Sequence, residues 1–217
     1  MIKAVIFDLD GTLADTLEDL CDSTNYALEK HGFPKRDLSE FNMFIGDGVP
    51  KLIERAIPKE VFTEEAKQVV YNEFMAHYRK HFLDKTKLYD NISECVSLLK
   101  DKGLKLAIIS NKIDEMTQKI VEKLFCGEFS VVIGKREGCP LKPDPASTFE
   151  VMEKLGVEPS DCVFVGDSGM DMKTAKNAGC AALGVLWGFR GKDELIENGA
   201  DYLVAKPQKI APLILGL

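Results

Sequence analysis

Short, nearly unbroken apolar runs recur along the chain, at 4–7, 104–109, 131–133, 162–165 and 181–186. Each ends in small or polar residues: Asp8 to Gly11, Ser110-Asn111, Gly134, Gly166-Asp167 and Gly188. Runs of this length without alternation fit strands buried on both faces, as in a parallel sheet. Between them lie stretches with helical periodicity, at 92–102, 116–125, 145–155 and 170–178. Gly103, Gly156 and Gly179 stand just past three of these stretches, where a helix C-cap favours glycine. Strand alternating with helix predicts an α/β fold with a Rossmann-like open parallel sheet.

The stretch 16–85 breaks the rhythm. It reads as helices at 17–31, 38–45, 49–56 and 63–82, with no strand among them. An uninterrupted helical block of about 70 residues after the first strand predicts an inserted all-helical cap domain. The expected division is 1–15 and 86–217 for the α/β core and 16–85 for the cap, with hinges near Ala14-Asp15 and 85–88.

Composition narrows the picture further. Of 217 residues, 45% are apolar and 29% charged, a globular balance. A chain of this length buries roughly 70% of its unfolded surface, so a core forms without staples. The net charge of -7 argues against nucleic acid as a partner, while leaving room for a small phosphorylated ligand held locally. The six cysteines include no C-x-x-C pair and read as reduced thiols. No apolar run approaches the ~20 residues of a membrane span, and the apolar run at 4–7 is too short for a signal peptide. These features predict a soluble cytoplasmic protein without a membrane partner. The oligomeric expectation is a monomer or homodimer.

The candidate chemistry gathers at the predicted strand ends, where open α/β sheets carry their ligand sites. Asp8-Leu9-Asp10-Gly11-Thr12 follows the first run. Side chains two apart on an extended strand share a side, so Asp8 and Asp10 are expected to converge. Neighbouring carboxylates repel, and either a shared proton or a hard dication relieves them. Ser110-Asn111 offers a hydroxyl and a backbone donor. Lys142 precedes Pro143, which favours an extended backbone. Asp167 and Asp171 are four apart at a helix start and so face one point. Such an acidic site accepts an anion only with a cation present, as in other phosphoryl-transfer centres.

With these motifs in order, the chain resembles the haloacid dehalogenase-like hydrolases: Asp8-x-Asp10-Gly11-Thr12, then Ser110, then Lys142, then Gly166-Asp167-Ser168-x-x-Asp171. The helical insertion is similar to that family's α-helical cap. Phe44-Ile45-Gly46-Asp47-Gly48-Val49 and the segments 175–179, 184–188 and 198–201 look like those of its phosphoglycolate phosphatase-like members. The resemblance implies a Mg²⁺-dependent phosphatase acting on a small phosphorylated metabolite, with 2-phosphoglycolate the first choice. It implies Asp8 as nucleophile, forming an aspartyl-phosphate, and Asp10 as general acid and then base. Thr12 is expected to fix the turn and Asp10. Ser110 and the Asn111 amide would hold phosphoryl oxygens, with Lys142 neutralising both phosphate and Asp8. The metal would be held by Asp8, the Asp10 carbonyl, Asp167 and Asp171, the last directly or through water. Gly46 and Gly48 would offer backbone to the substrate from the cap.

The alternatives within this resemblance are a pyrophosphatase, a β-phosphoglucomutase-like phosphosugar mutase and a haloacid dehalogenase. Gly11-Thr12-Leu13 looks more like a phosphatase than a mutase, and Asp10 is superfluous for displacing a halide. A binding protein without catalysis would lack one of the motif residues, and none is missing. His77 and His81, Trp187, Phe189 and Arg190 read as helix-face or loop residues without a chemical role.

Overall fold

The computed structural model describes residues 1–217. The chain divides into two compact units: Met1–Ala14 with Leu88–Leu217, and Asp15–Lys87. It begins with β1 (Ala4–Phe7) and β2 (Ala14–Asp15), then runs through α1 (Leu17–Lys30), α2 (Phe41–Phe44), α3 (Val49–Ala56) and α4 (Glu64–His81). β3 (Lys87–Leu88), α5 (Ile92–Asp101), β4 (Lys105–Ile113), α6 (Asp114–Phe125) and β5 (Val131–Lys135) follow. The chain ends through α7 (Ala146–Leu155), β6 (Cys162–Gly166), α8 (Gly169–Ala178), β7 (Ala181–Val185), α9 (Lys192–Glu197), β8 (Tyr202–Val204) and α10 (Ile210–Ile214).

The larger unit is the α/β fold its apolar runs call for. Six strands form one sheet in the order β5-β4-β1-β6-β7-β8, with every ladder parallel. β1 lies inside the sheet and is wholly buried, which is why Ala4 to Phe7 carry no polar side chain. One face of the sheet packs Ala4, Ile6, Ala107, Ile109 and Phe164 against Val151, Met152, Met172 and Ala175 of α7 and α8. Burying each of the larger side chains here, such as Ile6, Phe164 and Met172, stabilises the unit by about 1.5–3 kcal/mol. Strand order reverses direction at β1, since β4 and β5 lie on one side and β6 to β8 on the other. The carboxyl ends of β1, β4 and β6 therefore open the crevice where such sheets bind ligands.

Two features differ from the sequence expectation. The β4 ladder continues past its apolar run to Ile113, with a register shift between Ile109 and Ile113. Ser110, Asn111 and Lys112 thus lie within the last residues of the strand itself. β8, α9 and α10 are additional elements, each too short to give a periodic signal.

The smaller unit is helical, with α1 packed on α4 around Leu20, Leu28, Phe74 and Tyr78. Its α4 begins with Thr63 capping the Ala66 amide at 3.0 Å. The segment 38–45 is a short 3-10 turn followed by the four-residue α2 rather than one helix. Buried Asp19 on α1 accepts from the Lys85 and Thr86 amides and the Thr86 hydroxyl at 2.7–3.2 Å. That carboxylate fastens the unit's last segment to its first helix. β2 and β3 pair in a separate two-stranded sheet, and the boundary between units falls inside both. No helix is long and apolar enough to cross a membrane.

Candidate active site

The site is built at the ends of β1, β4 and β6. Asp8 stands one residue beyond β1, its amide donating to the Val165 carbonyl of β6 at 2.9 Å. Asp167 stands one residue beyond β6, and Asp171 lies in the first turn of α8. One carboxylate oxygen from each of Asp8, Asp167 and Asp171 lies within 4.8 Å of the others, and all three residues are buried.

Each carboxylate is held by a specific donor. Lys142 Nζ donates to Asp8 Oδ1 and Asp171 Oδ1, both at 2.6 Å. Asp171 Oδ2 accepts from the Ser168 amide and hydroxyl in the capping box that starts α8. Asp167 Oδ1 accepts from the Thr12 hydroxyl at 3.2 Å, and Oδ2 from the Phe189 amide at 2.7 Å. Lys142 engages Asp8 through Oδ1, so Oδ2 is the second oxygen of the predicted nucleophile.

Lys142 is itself fixed by Asn111. The Asn111 side chain accepts from the Lys142 amide at 2.9 Å and donates to its carbonyl at 3.3 Å. The Lys142 ammonium also sits 5.7 Å from the centre of the Phe164 ring. The peptide joining Lys142 to Pro143 is cis.

The electrostatics follow from burial and crowding. Burial pushes the Asp8 carboxyl well above the usual carboxylate range, and Asp171 and Asp167 push it the same way against the pull of Lys142. Burial, then Asp171, raises Asp167 to about 7. For Lys142, burial works against the charged form, but Asp171 and Asp8 outweigh it and hold the ammonium above its ordinary range. Three buried carboxylates facing one ammonium carry an uncompensated negative charge. An all-oxygen donor set of this kind fits a hard divalent cation.

Gly11, Gly166 and Gly188 make room for the acids; at Gly188 a Cβ would sit 2.3 Å from Asp167 Cβ. Gly11 has φ +86°, and a Cβ there would sit 2.5 Å from Asp167 Oδ2 and 2.9 Å from Phe189 Cδ2. At Gly166 a Cβ would collide with the Asp171 side chain. Gly11→Ala is therefore expected to destabilise the protein by about 2–4 kcal/mol through strain and overpacking, and to displace Asp167. Denaturant midpoints with divalent-cation titrations check this; a variant with wild-type stability and cation affinity would overturn it.

The structure gathers several of the expected residues. Asp8, Lys142, Asp167 and Asp171 come together, and Ser110 and Asn111 are buried nearby, with the Ser110 hydroxyl accepting from the Lys112 amide at 3.2 Å. The Asp10 carboxylate is not one of the three in that cluster. Asp10 instead meets Lys112, whose Nζ lies 2.9 Å from both of its oxygens. Thr12 orients Asp167 rather than Asp10, because the turn at Gly11 points its hydroxyl toward the end of β6. Gly46 and Gly48 lie in the helical unit, where Arg55 pins the loop through Asp47 and the Met43 and Phe44 carbonyls.

Lys112 is the residue that sequence reading missed, since a lysine beside Ser110-Asn111 carries no signal of burial. Arg190 is not a solvated loop residue: its side chain is only 10% exposed and pairs with Glu194. Trp187 closes the strand-end loop by donating to the Thr12 carbonyl at 3.1 Å. His77 stacks on Tyr26 and bonds Ser23, and His81 pairs with Asp84. All six cysteines are free thiols.

Comparison with known proteins decides the family. The sequence profile of the haloacid dehalogenase-like hydrolases matches residues 5–185. The chain belongs to the haloacid dehalogenase-like hydrolases. A phosphoglycolate phosphatase of Chromobacterium violaceum is 34% identical over 207 residues, spanning 94% of this chain and 92% of the relative. One from Aquifex aeolicus is 32% identical over 218 residues, spanning 98% and 97%. A solved structure from Lactobacillus delbrueckii subsp. bulgaricus, itself assigned only provisionally as a phosphoglycolate phosphatase, superposes with a TM-score of 0.93 at 34% identity, covering 99% of each chain. Within its family, this hydrolase is a phosphoric monoester hydrolase, and the buried carboxylate trio is the feature that suits it to a divalent metal.

Proposed function

We propose that this hydrolase cleaves 2-phosphoglycolate with Mg²⁺ as its cation, through an aspartyl-phosphate on Asp8. The observation that carries the reading is the convergence of Asp8, Asp167 and Asp171 at the end of an interior strand, with Lys142 bonded to Asp8 and Asp171. The substrate is taken from the names of the relatives that match along nearly the whole chain.

In this reading Asp8 Oδ2, the oxygen that Lys142 does not engage, attacks phosphorus. Lys142, already on the other Asp8 oxygen, neutralises charge on the phosphoryl group, aided by the Ser110 hydroxyl and the Asn111 amide. Asp10 gives a proton to the departing oxygen and takes one from the water that frees Asp8. Asp8, Asp167 and the Asp10 carbonyl would hold Mg²⁺, with Asp171 next to it and holding Lys142. When bound, the cation supplies charge neutralisation at the transferring phosphoryl group. A lid role for the helical unit, with Gly46 and Gly48 against the substrate and hinges at 14–15 and 85–88, belongs to the same proposal.

The test is a panel of 2-phosphoglycolate, pyrophosphate and β-glucose-1-phosphate, assayed with Mg²⁺ and with EDTA. Fastest release of phosphate from 2-phosphoglycolate, abolished by EDTA, is expected. Preference for pyrophosphate, or isomerisation of the sugar phosphate, would overturn the substrate.

A second prediction concerns the cation alone. Asp167 is raised from 3.8 to about 7 without metal. The stability held by its protonated form is complete below the lower value and is lost as pH rises through the higher one. Without metal, stability should therefore fall between about pH 4 and pH 7. A cation that binds the ionised trio offsets that loss, so the Mg²⁺-induced rise in Tm is expected to grow from pH 5 to pH 8. Equal rises at both ends, measured against EDTA, would count against the trio as the binding site.

A further inference from the structure

Lys112 stands outside every motif that identifies the family, yet it is buried as deeply as the site itself. Its side chain is 4% exposed, and Nζ lies 2.9 Å from Asp10 Oδ1 and 2.9 Å from Oδ2. Equal contacts to both oxygens fix the rotation of the carboxylate as well as its position. The lysine is held in turn by its backbone: its amide donates to the Ser110 hydroxyl, and its carbonyl accepts from Thr117 at 3.3 Å. Its location explains the long β4, whose ladder carries the chain to Ile113 and delivers Lys112 to the end of β1. The site thus holds two lysines on separate acids, Lys142 on Asp8 and Asp171 and Lys112 on Asp10.

We propose that Lys112 is a positioning residue: it orients the Asp10 carboxyl group toward the leaving oxygen in the first half-reaction and toward the attacking water in the second. The proposal rests on the aspartyl-phosphate reading above. In the first half-reaction the Asp8–phosphorus bond forms, the bond from phosphorus to the ester oxygen breaks, and the Asp10 proton passes to that oxygen. In the second, Asp10 takes a proton from water as the water oxygen bonds phosphorus and the Asp8–phosphorus bond breaks, releasing inorganic phosphate. Stability alone gives little reason for a buried ion pair there, since well-packed apolar residues commonly replace such pairs without loss. Geometry gives one: general acid–base transfer requires the carboxyl within hydrogen-bond reach of the oxygen it serves.

The test uses leaving groups. An alkyl phosphate releases an alkoxide that needs a proton, whereas p-nitrophenyl phosphate releases a stable phenolate that does not. Lys112→Met in the full chain with Mg²⁺ is expected to lower kcat/KM for 2-phosphoglycolate by about 100-fold, within the usual range for general acid–base help. For p-nitrophenyl phosphate kcat/KM is expected to stay within about threefold, while kcat falls because dephosphorylation is common to both substrates. Lys112→Arg keeps the charge, moves the donors and should show the same selectivity with a smaller loss. It carries the test if the Met variant does not fold. Equal losses of kcat/KM for both substrates, or no loss for either, would overturn the proposal. Asp10→Asn is run alongside. If it shows the leaving-group selectivity and the Lys112 variants do not, Lys112 has no positioning role and the acid–base reading stands. If Asp10→Asn lacks that selectivity, both fall together.

Discussion

Asp8→Asn is expected to eliminate steady-state turnover, with kcat reduced by at least about 10⁴-fold, because the amide cannot form the acyl phosphate. The fold should survive. Asp8 lies at a strand end, and its backbone bond to Val165 does not depend on the side chain. Burial and the neighbouring Asp171 and Asp167 hold the Asp8 carboxyl well above its ordinary range. A carboxyl raised in this way weakens the metal-free protein as pH rises, since the stability linked to it is lost in that direction. The Asp8→Asn change removes that carboxyl and leaves Lys142 its bond to Asp171. In EDTA the variant is expected to melt at or above the wild type; with Mg²⁺ it should gain less than the wild type does. Phosphate release and paired melts check both halves, with mass spectrometry excluding deamidation back to the acid. A residual rate from intact, undeamidated Asp8→Asn protein would remove Asp8 from the nucleophile's place.

The parts of this fold legible from sequence were those set by local pattern. Uninterrupted apolar runs marked the interior strands β1, β4, β6 and β7 because both faces of the sheet are covered. Glycines past α7 and α8 marked helix ends because those positions adopt positive φ. β8 escaped notice because it has only three residues, with Tyr202 exposed. The candidate site divides the same way. Asp167 and Asp171 are four apart, but only Asp171 lies in α8; Asp167 sits at the end of β6, and the extended Ser168 between strand and helix leaves the two carboxylates close together. Asp10 and Lys112 are 102 positions apart, and neither residue type announces burial until β4 is laid beside β1. The bonds from Asn111 to Lys142 and from Thr12 to Asp167 likewise link separate strand ends. Motif matching supplied the participants, while their pairing required the tertiary ladder.

Lys142→Met tests the other half of the electrostatic arrangement. The ammonium is buried and donates to Asp8 and Asp171 at 2.6 Å each, over the Phe164 ring. Removing one partner of a buried ion pair costs about 3–5 kcal/mol when the remaining charge cannot relax. Here relaxation is available, since both Asp8 and Asp167 already favour protonation. Without Lys142 the upward push on Asp8 goes unopposed. The loss of stability should accordingly be small near pH 5 and grow as pH rises and the acids ionise. Activity is expected to fall by about 10³-fold at every pH, the scale seen when a fixed charge on a transferring group is lost. Added Mg²⁺ should recover the stability, because it neutralises the carboxylates, but not the rate, because it does not restore an ammonium on Asp8 Oδ1. Lys142→Arg should not recover the rate either: a planar guanidinium is too broad for a pocket shaped to one nitrogen between two carboxylates. Melts from pH 5 to pH 8 with and without Mg²⁺, beside phosphate release, separate these effects. If Mg²⁺ restored both stability and rate, Lys142 would be only a counter-charge, with no direct part in the reaction.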